Sequence, residues 1–327
     1  MHACDNRVAF ARPVFIAFRS REKRLLLPAR PSQAFAKMHI RFGPFRLLNG
    51  RPPARSQLSP VSQSPPTAPD ISAGLRKAIQ LLYVEHISES GVDYHALKSS
   101  PQFAEYVAQT ARLPHLDLQA ALTSDAAKIA FFVNLYNALT QHAVVVCNPP
   151  PSNSFARLLF GISVGYRVGP FKLSLNDIEN GILRANRSVS ILPKPFGSKD
   201  RRLSLAVQNV DARIHFVLNC AATSCPPVLF LTADNLENAL TTATRGFLAN
   251  HDNFSVKAHT VSLSMIFRWY HSDFSVDGSD AGVLRYVVQH GDPKHDSVVQ
   301  LKKLLDNSAL HIAISWLPYD WSLNSSS

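Results

Sequence analysis

The order of hydrophobic and polar positions predicts helices in the first part of the chain and mixed elements later. Apolar residues recur at helical spacing over residues 71–87, and a second helix is predicted from Pro101 to Arg112. Ser124 is expected to cap a longer third helix that begins at Asp125 and ends near Val146. We therefore predict a single α+β domain in which N-terminal helices pack on a small mixed or antiparallel sheet.

Short elements are predicted downstream of this third helix. Ser174-Leu-Asn-Asp177 resembles a capping box, which predicts a helix as far as Arg184. Polar and apolar residues alternate from Arg213 to Asn219, which predicts a strand. The other predicted elements are hairpins at 166–173 and 255–262, helices at 232–250, 265–271, 283–290 and 298–305, and a strand at 310–316.

The third helix carries an unusual stripe of amides. Asn134, Asn137 and Gln141 fall within about 60° of one another around the helix axis, with His142 at the edge of the stripe, and the other directions are apolar. A helix that is apolar on all other sides is buried, so its amides need partners. They either brace loops that pack over the helix, or face a cleft and orient a reacting group. The same polar residues interrupt the longest apolar stretch, so no membrane span is predicted.

A loop bounded by two cysteines follows the predicted strand. On a strand, His215 and Asn219 would share one face and lead into this loop, which runs from Cys220 to Cys225. Pro226 favours an extended backbone at Cys225, and the two cysteines are four residues apart rather than two, unlike a thioredoxin-type motif.

Three uses of this loop remain open from the residues alone. A zinc site would need four ligands, and Cys220, Cys225 and His215 supply only three at irregular spacing. A nucleophilic thiol would need a histidine within hydrogen-bond reach and an asparagine that orients it. Alternatively, the cysteines are structural thiols in a tight turn that form a labile disulfide under oxidising conditions. We assign no metal site and no cofactor.

Charge separates the first 70 residues from the rest of the chain. The 327 residues carry a formal charge of +11, but residues 1–70 hold twelve Lys and Arg against three acids, and the remainder holds 22 against 20. A nearly neutral domain argues against a specific nucleic-acid partner. The basic, proline-rich residues 1–70 are expected to be a disordered extension capable of loose anionic contacts, or a mitochondrial or plastid transit peptide. Met38 is an alternative start, and the default location is cytoplasmic.

Several segments, in this order, resemble the family called domain of unknown function 547. They lie at Phe131–His142, Leu173–Arg184, Asp211–Cys220, Ser224–Pro227, Leu263–Phe274 and Tyr319–Asn324. The resemblance covers roughly residues 75–324 and implies a domain over 71–324, but no assigned reaction. The family pattern has glycine after the first cysteine of the loop, where this chain has Ala221. Some family members are fused to glutaredoxin-like or DEP domains, and plant members to a leucine-zipper segment, which favours thiol chemistry or a signalling role.

The resemblance and the residues together define a candidate site and several hypotheses about its function. The leading hypothesis is a thiol-dependent hydrolase or acyl transferase acting on an unknown small molecule or peptide. The alternatives are a non-catalytic binding or scaffold module and a thiol redox protein. The candidate catalytic residues are Cys225, Cys220, His142, His215, Asn134 and Asn137, and the candidate binding residues are Asn219, Ser224 and Arg213. Asp177 and Glu179 are interpreted as helix-start charges, and residues 319–324 are expected to dock on the domain.

Overall fold

The computed structural model describes residues 45–50, 68–88, 91–147, 154–189, 192–307 and 311–326. The predictions of a transit peptide, of a start at Met38 and of most of the disordered extension lie outside these residues. The α-helices are α1 (Ala68–His86), α2 (Tyr94–Ser99), α3 (Pro101–Thr110), α4 (Leu118–Ala121), α5 (Asp125–Cys147), α6 (Ser154–Ser163), α7 (Leu236–Ala249), α8 (Met265–Trp269), α9 (His271–Phe274), α10 (Asp280–His290) and α11 (Asp296–Asp306). The strands are β1 (Arg46–Leu47), β2 (Ile87–Ser88), β3 (Gly91–Val92), β4 (Val164–Val168), β5 (Phe171–Ser174), β6 (Phe254–Lys257), β7 (Thr260–Ser264) and β8 (Ala313–Leu317).

Helix α5 is the central element of the larger core. The hydroxyl of Ser124 accepts a hydrogen bond from the backbone N–H of Ala127 at 3.2 Å, so the predicted cap is confirmed. Among the described residues, α5 alone is long and apolar enough to cross a membrane, but 89% of its apolar window is buried inside the protein. That burial is typical of a core helix.

The strands form small sheets of mixed direction, which confirms the predicted α+β class. In the described residues, β4 pairs antiparallel with β5 and parallel with β1, whereas β7 pairs antiparallel with β6 and parallel with β8. Both predicted hairpins are therefore present. Gly169, with a φ of 52°, occupies the turn of the first hairpin, where the left-handed conformation favours glycine.

A short segment before residue 70 packs on the domain. Asn49 is buried, and its side chain donates to the carbonyls of Thr110 and Arg167 and accepts from the N–H of Arg167. The predicted boundary at residue 70 is therefore too late for residues 45–50. That boundary is based on the number of prolines and charges, which does not reveal a buried polar contact. Helix α1 likewise begins at Ala68.

The predicted strand over residues 213–219 is wrong. Ala212–Phe216 is a 3₁₀-helix whose first turn is capped by the Asp211 side chain, which accepts from the N–H of Arg213. Ile214 packs in the core around α5, whereas Phe216 packs in a second core with the β6–β8 sheet. Neighbouring residues of this segment are buried in two different cores. Its polar and apolar residues therefore alternate as they would in a strand, although its backbone is not extended.

The predicted helix after Ser174 contains a π-helix, Asp177–Leu183. Ser174 and Asp177 form the reciprocal hydrogen bonds of the expected capping box, at 2.9 and 3.0 Å. A π-helical turn is frequent at functional sites. Here it places Glu179 in the interior, next to the cysteine loop described below.

Candidate functional site: a dithiol loop between two cavities

Buried amides of α5 hold the loops beside the cysteines. Asn137 donates to the carbonyl of Val217 at 2.9 Å and accepts from the N–H of Asn219 at 2.8 Å. Asn134 donates to the carbonyl of Leu231 at 2.7 Å and accepts from its N–H at 3.0 Å. These amides therefore brace loops, the first of the two sequence interpretations. Their contacts give no support to the predicted role of orienting a catalytic histidine.

Asn219 shapes the cysteine loop from inside. Its side chain accepts from the N–H of Ala221 at 2.8 Å and donates to the carbonyl of Pro226 at 2.9 Å, so it joins the two ends of the loop. Ala221 is buried and has a φ of 65°, the left-handed conformation in which glycine is favoured. The departure from the expected glycine thus falls at a position where alanine is strained.

The C-terminal segment covers this loop, as expected. The N–H groups of Thr223 and Ser224 donate to the carbonyls of Ser322 and Asp320, and the hydroxyl of Ser224 accepts from the N–H of Asp320. Ser224, a candidate binding residue, is thus part of the docking contact and also lines the larger of two cavities.

The two thiols are in direct contact. Cys220 Sγ lies 3.1 Å from Cys225 Sγ, and the backbone N–H of Cys220 donates to Cys225 Sγ at 3.1 Å. The hydroxyl of Tyr319 lies 3.3 Å from Cys225 Sγ. The hydrogen bonds thus converge on Cys225, the second cysteine of the loop.

This asymmetry separates the acidities of the two thiols. Burial alone would raise the pKa of Cys225, but hydrogen bonds from the Cys220 thiol, the Tyr319 hydroxyl and backbone N–H groups outweigh it and lower the pKa to about 7. The contact with Cys225, together with burial, raises the pKa of Cys220 well above its ordinary value. Cys225 is therefore the more nucleophilic thiol near neutral pH.

The two cysteines line different cavities. Cys225 lines a cavity of about 1010 Å³ between the cysteine loop, α7 and the β8–C-terminal segment. Cys220 lines a cavity of about 140 Å³ together with Glu179, Arg157 and Tyr270. The loop therefore separates the two cavities.

The small cavity is lined by an acidic group, Glu179, whose partners the sequence did not indicate. Glu179 accepts hydrogen bonds from the hydroxyls of Tyr136, at 2.9 Å, and Tyr270. Glu179 lies in the first turn of the π-helix, as interpreted from the sequence, but it is half-buried and bonded to two tyrosines. Arg157 is buried in the wall of this cavity, and its guanidinium donates to the carbonyls of Cys220 and Trp321 at 2.6 and 2.7 Å.

His215 belongs to a buried ionic network rather than to the thiols. Its Nε2 lies 2.9 Å from Asp273, which also pairs with Arg184 and Arg187. Burial lowers the pKa of His215 although Asp273 opposes this effect. The ring stacks on Tyr270 with centroids 3.9 Å apart.

His142 lies in an aromatic pocket between α3, α5 and β4. Its Nδ1 bonds the hydroxyl of Tyr166 at 2.7 Å, and its ring packs against Phe103 and Tyr106. Burial lowers the pKa of His142 to about 4. In the described residues, the hydrogen bonds of both sulfurs go to one another, to backbone groups and to Tyr319, so neither predicted histidine base contacts a thiol.

Arg213 lies away from the dithiol contact. Its guanidinium pairs with Asp211 at 2.7 Å and with Glu237 at 2.6 Å, and it holds the 3₁₀-helix to α7. Arg213 therefore has a structural role, and it does not line either of the two cavities.

Sequence reasoning missed most of the groups around the thiols. Glu179, Tyr270, Asp273 and Tyr319 all lie within segments that carry the family resemblance. The sequence signal that could have found them is the recurrence of polar and aromatic residues in those segments. Which of these side chains lie close together depends on the fold.

A family comparison covers the central part of this site. The family model described as "Protein of unknown function, DUF547" matches residues 120–248, which include α5, the π-helix and the cysteine loop. This match supports an assignment to the DUF547 family. The two C-terminal segments that supply Tyr270 and Tyr319 lie outside the DUF547 match. Comparison with the curated proteins and with the solved structures gave no significant match.

Proposed function

We propose that this protein is a thiol–disulfide oxidoreductase in which Cys225 is the attacking thiol and Cys220 the resolving thiol. The observation that carries the proposal is the 3.1 Å contact between the two sulfurs, with the stabilising hydrogen bonds on Cys225. A disulfide needs its sulfurs at about 2.05 Å, so closure requires a movement of about 1 Å.

The reaction consumes one disulfide for each protein dithiol. The Cys225 thiolate attacks a sulfur of R–S–S–R′, forms a mixed disulfide with R–S and releases R′S⁻. Cys220 then gives up its proton and attacks Cys225 Sγ, forming the Cys220–Cys225 disulfide and releasing RS⁻. Two electrons pass from the protein to the substrate, and both released thiolates take up protons.

This proposal replaces the hydrolase as the leading hypothesis. A cysteine hydrolase needs a base that takes up the thiol proton and later protonates the leaving group. His142 and His215 bond Tyr166 and Asp273, and the described hydrogen bonds to Cys225 come from groups that stabilise a thiolate without relaying a proton. The second thiol, which a hydrolase does not need, lies 3.1 Å from Cys225 Sγ.

The test uses the full chain with Cys4→Ser and Cys147→Ser, so that only the two loop thiols remain. Reduced protein is equilibrated with mixtures of reduced and oxidised dithiothreitol, and the fraction of intramolecular disulfide is measured by mass spectrometry. We expect a reversible Cys220–Cys225 disulfide that forms while the protein stays folded by circular dichroism. Thiols that stay reduced in excess oxidant, or that oxidise only on unfolding, would overturn the proposal and favour a scaffold.

Single-cysteine variants in the same background assign the two roles. Cys220→Ser should accumulate a mixed disulfide at Cys225, because the resolving thiol is missing. Cys225→Ser should form a mixed disulfide at Cys220 much more slowly at neutral pH. Hydrolysis of an activated ester that needs Cys225 but persists in Cys220→Ser would instead support the hydrolase.

A further inference from the structure

We infer that the substrate disulfide belongs to a polypeptide segment that is neutral or basic around its cysteine, and that it reaches Cys225 through the larger cavity. Asp252 and Asp320 in the cavity wall would select against anionic disulfides such as oxidised glutathione. This inference rests on the proposed function and concerns only its substrate class.

The charge of the cavity wall is the first argument. Among the described residues that line it, Asp252 and Asp320 are charged and none is Lys, Arg or His. In the described part of the chain, neither aspartate forms a salt bridge. Hydrogen bonds from the N–H and hydroxyl of Ser322 lower the pKa of Asp320, so this group is ionised at neutral pH.

One nearby cation, Arg157, acts on this wall, since its positive charge contributes to the lowered pKa of Asp320. Arg157 lies across the loop, where its guanidinium donates to the carbonyls of Cys220 and Trp321 and lines the smaller cavity. The charged side chains that line the cavity beside Cys225 are therefore the two carboxylates, whereas Arg157 lines the cavity beside Cys220. Acidic groups at the mouth of a cleft lower the local concentration of anions and raise that of cations.

Size and surface are the second argument. The cavity of about 1010 Å³ lies at the upper end of the range of small-ligand pockets, about 300–1,000 Å³. Apolar side chains of Leu229, Phe247 and Leu317 line it, as do the amides of Asn250 and Asn253. Apolar walls with scattered amides suit the side chains and backbone of an extended peptide.

The first experiment compares small disulfides that carry different charges. Reduced Cys4→Ser/Cys147→Ser protein is oxidised by cystamine, which is cationic, by bis(2-hydroxyethyl) disulfide, which is neutral, or by oxidised glutathione, which is anionic. Each rate is divided by the rate at which 2-mercaptoethanol reacts with the same disulfide. We expect the normalised rate with cystamine to exceed that with oxidised glutathione by about tenfold at low salt. High salt should reduce this ratio, because it screens the charges.

Charge-neutralising variants locate the effect. Asp252→Asn/Asp320→Asn should reduce the cystamine preference to within about threefold. The matched control, Asp296→Asn/Asp306→Asn, removes two exposed acids that do not line the cavity and should keep the preference. Glutathione reacting as fast as cystamine, or an unchanged preference in the cavity variant, would overturn the inference.

A pair of peptides tests whether the substrate disulfide belongs to a polypeptide. Two disulfide-linked peptide dimers, identical except for Lys or Glu beside the cysteine, are compared with cystamine. The Lys peptide should oxidise the protein faster than both the Glu peptide and cystamine, and a Lys peptide no faster than cystamine would contradict a polypeptide substrate. If none of the disulfides oxidises the protein, the proposed function itself fails.

Discussion

Asn137 on helix α5 accepts a hydrogen bond from the backbone N–H of Asn219 at 2.8 Å. Asn219 precedes Cys220, and its own side chain bonds Ala221 and Pro226, each of which directly follows one of the two cysteines. The position of the two sulfurs therefore depends on an amide from the most buried helix of the described domain. A core helix thus positions the dithiol loop.

Asn137→Ala should destabilise the protein and also change the dithiol. The substitution leaves the carbonyl of Val217 and the N–H of Asn219 unpaired, which costs about 2–3 kcal/mol of unfolding free energy. Urea unfolding of the reduced protein measures this loss, and equilibration with dithiothreitol measures the disulfide. We expect a disulfide equilibrium shifted by at least about threefold, because the loop loses its anchor.

Asn134→Ala is the matched control. It removes the same kind of bidentate amide from the same helix, but its partner is Leu231, away from the thiols. We expect a similar loss of stability without a change in the disulfide equilibrium. Equal redox shifts in both variants would show that general loosening, and not the Asn137–Asn219 contact, governs the thiols.

Tyr319→Phe should make Cys225 less reactive near neutral pH. Loss of the hydroxyl removes one of the hydrogen bonds that lower the pKa of Cys225 to about 7, so that pKa should rise. The alkylation rate of Cys225 at about pH 7 should fall between about twofold and tenfold, as expected for one net hydrogen bond. The rate is followed with iodoacetamide and peptide mapping.

Tyr286→Phe provides the control for that change. The Tyr286 hydroxyl is buried and has no hydrogen-bond partner among the described residues, and its ring contacts Phe274 and His290. The pH profile of Cys225 alkylation should stay unchanged. If both phenylalanine variants shift the profile equally, Tyr319 does not act through its hydroxyl.

His142 should make the protein less stable as the pH falls. Burial lowers the pKa of His142 to about 4 in the folded state, below the value of about 6.5 in the unfolded chain. Between these values the unfolded chain binds more protons, so stability present above about pH 6.5 is lost as the pH falls toward about 4. The loss between about pH 7 and pH 5 should be about 2 kcal/mol from this residue.

The measurement compares urea unfolding of the wild type and His142→Phe across this pH range. A phenyl ring retains the packing against Phe103 and Tyr106 but does not titrate. The variant should lose about 2 kcal/mol less than the wild type on acidification, whatever its absolute stability. Parallel pH curves for the two proteins would contradict a buried neutral His142.

Ala221→Val should unfold the cysteine loop or weaken the whole domain. A β-branched side chain is poorly compatible with a φ of 65°, and the site is fully buried, so we expect a loss of at least about 2 kcal/mol. Ala221→Gly should stay within about 1 kcal/mol of wild type, because relief of the left-handed alanine is offset by unfolded-state entropy and a lost methyl contact. Thermal and urea unfolding measure both variants.

A substitution at Ala258 distinguishes the free-energy cost of the backbone conformation from the cost of packing. It has a φ of 50° in the β6–β7 turn but is exposed. Ala258→Val should therefore cost less than Ala221→Val. Equal losses at both positions would show that backbone conformation alone sets the penalty at Ala221.

Local signals predicted many elements of the fold. The cap at Ser124, the capping box at Ser174 and Asp177, and both hairpins depend on neighbours within a few residues, and they are confirmed. The burial of the α5 amides also followed from the apolar residues around them. The 213–219 strand failed because a short segment between two cores shows the same alternation as a strand.

The sequence by itself determined the helical first part, the family and the two cysteines in one loop. Only the tertiary structure decided that His142 and His215 lie in separate networks, and that Glu179 and Tyr319 lie on either side of the thiols. These contacts join residues that are tens of positions or more apart. Periodicity and capping report interactions within one or two turns, whereas pKa values and thiol contacts depend on chain segments that only folding brings together.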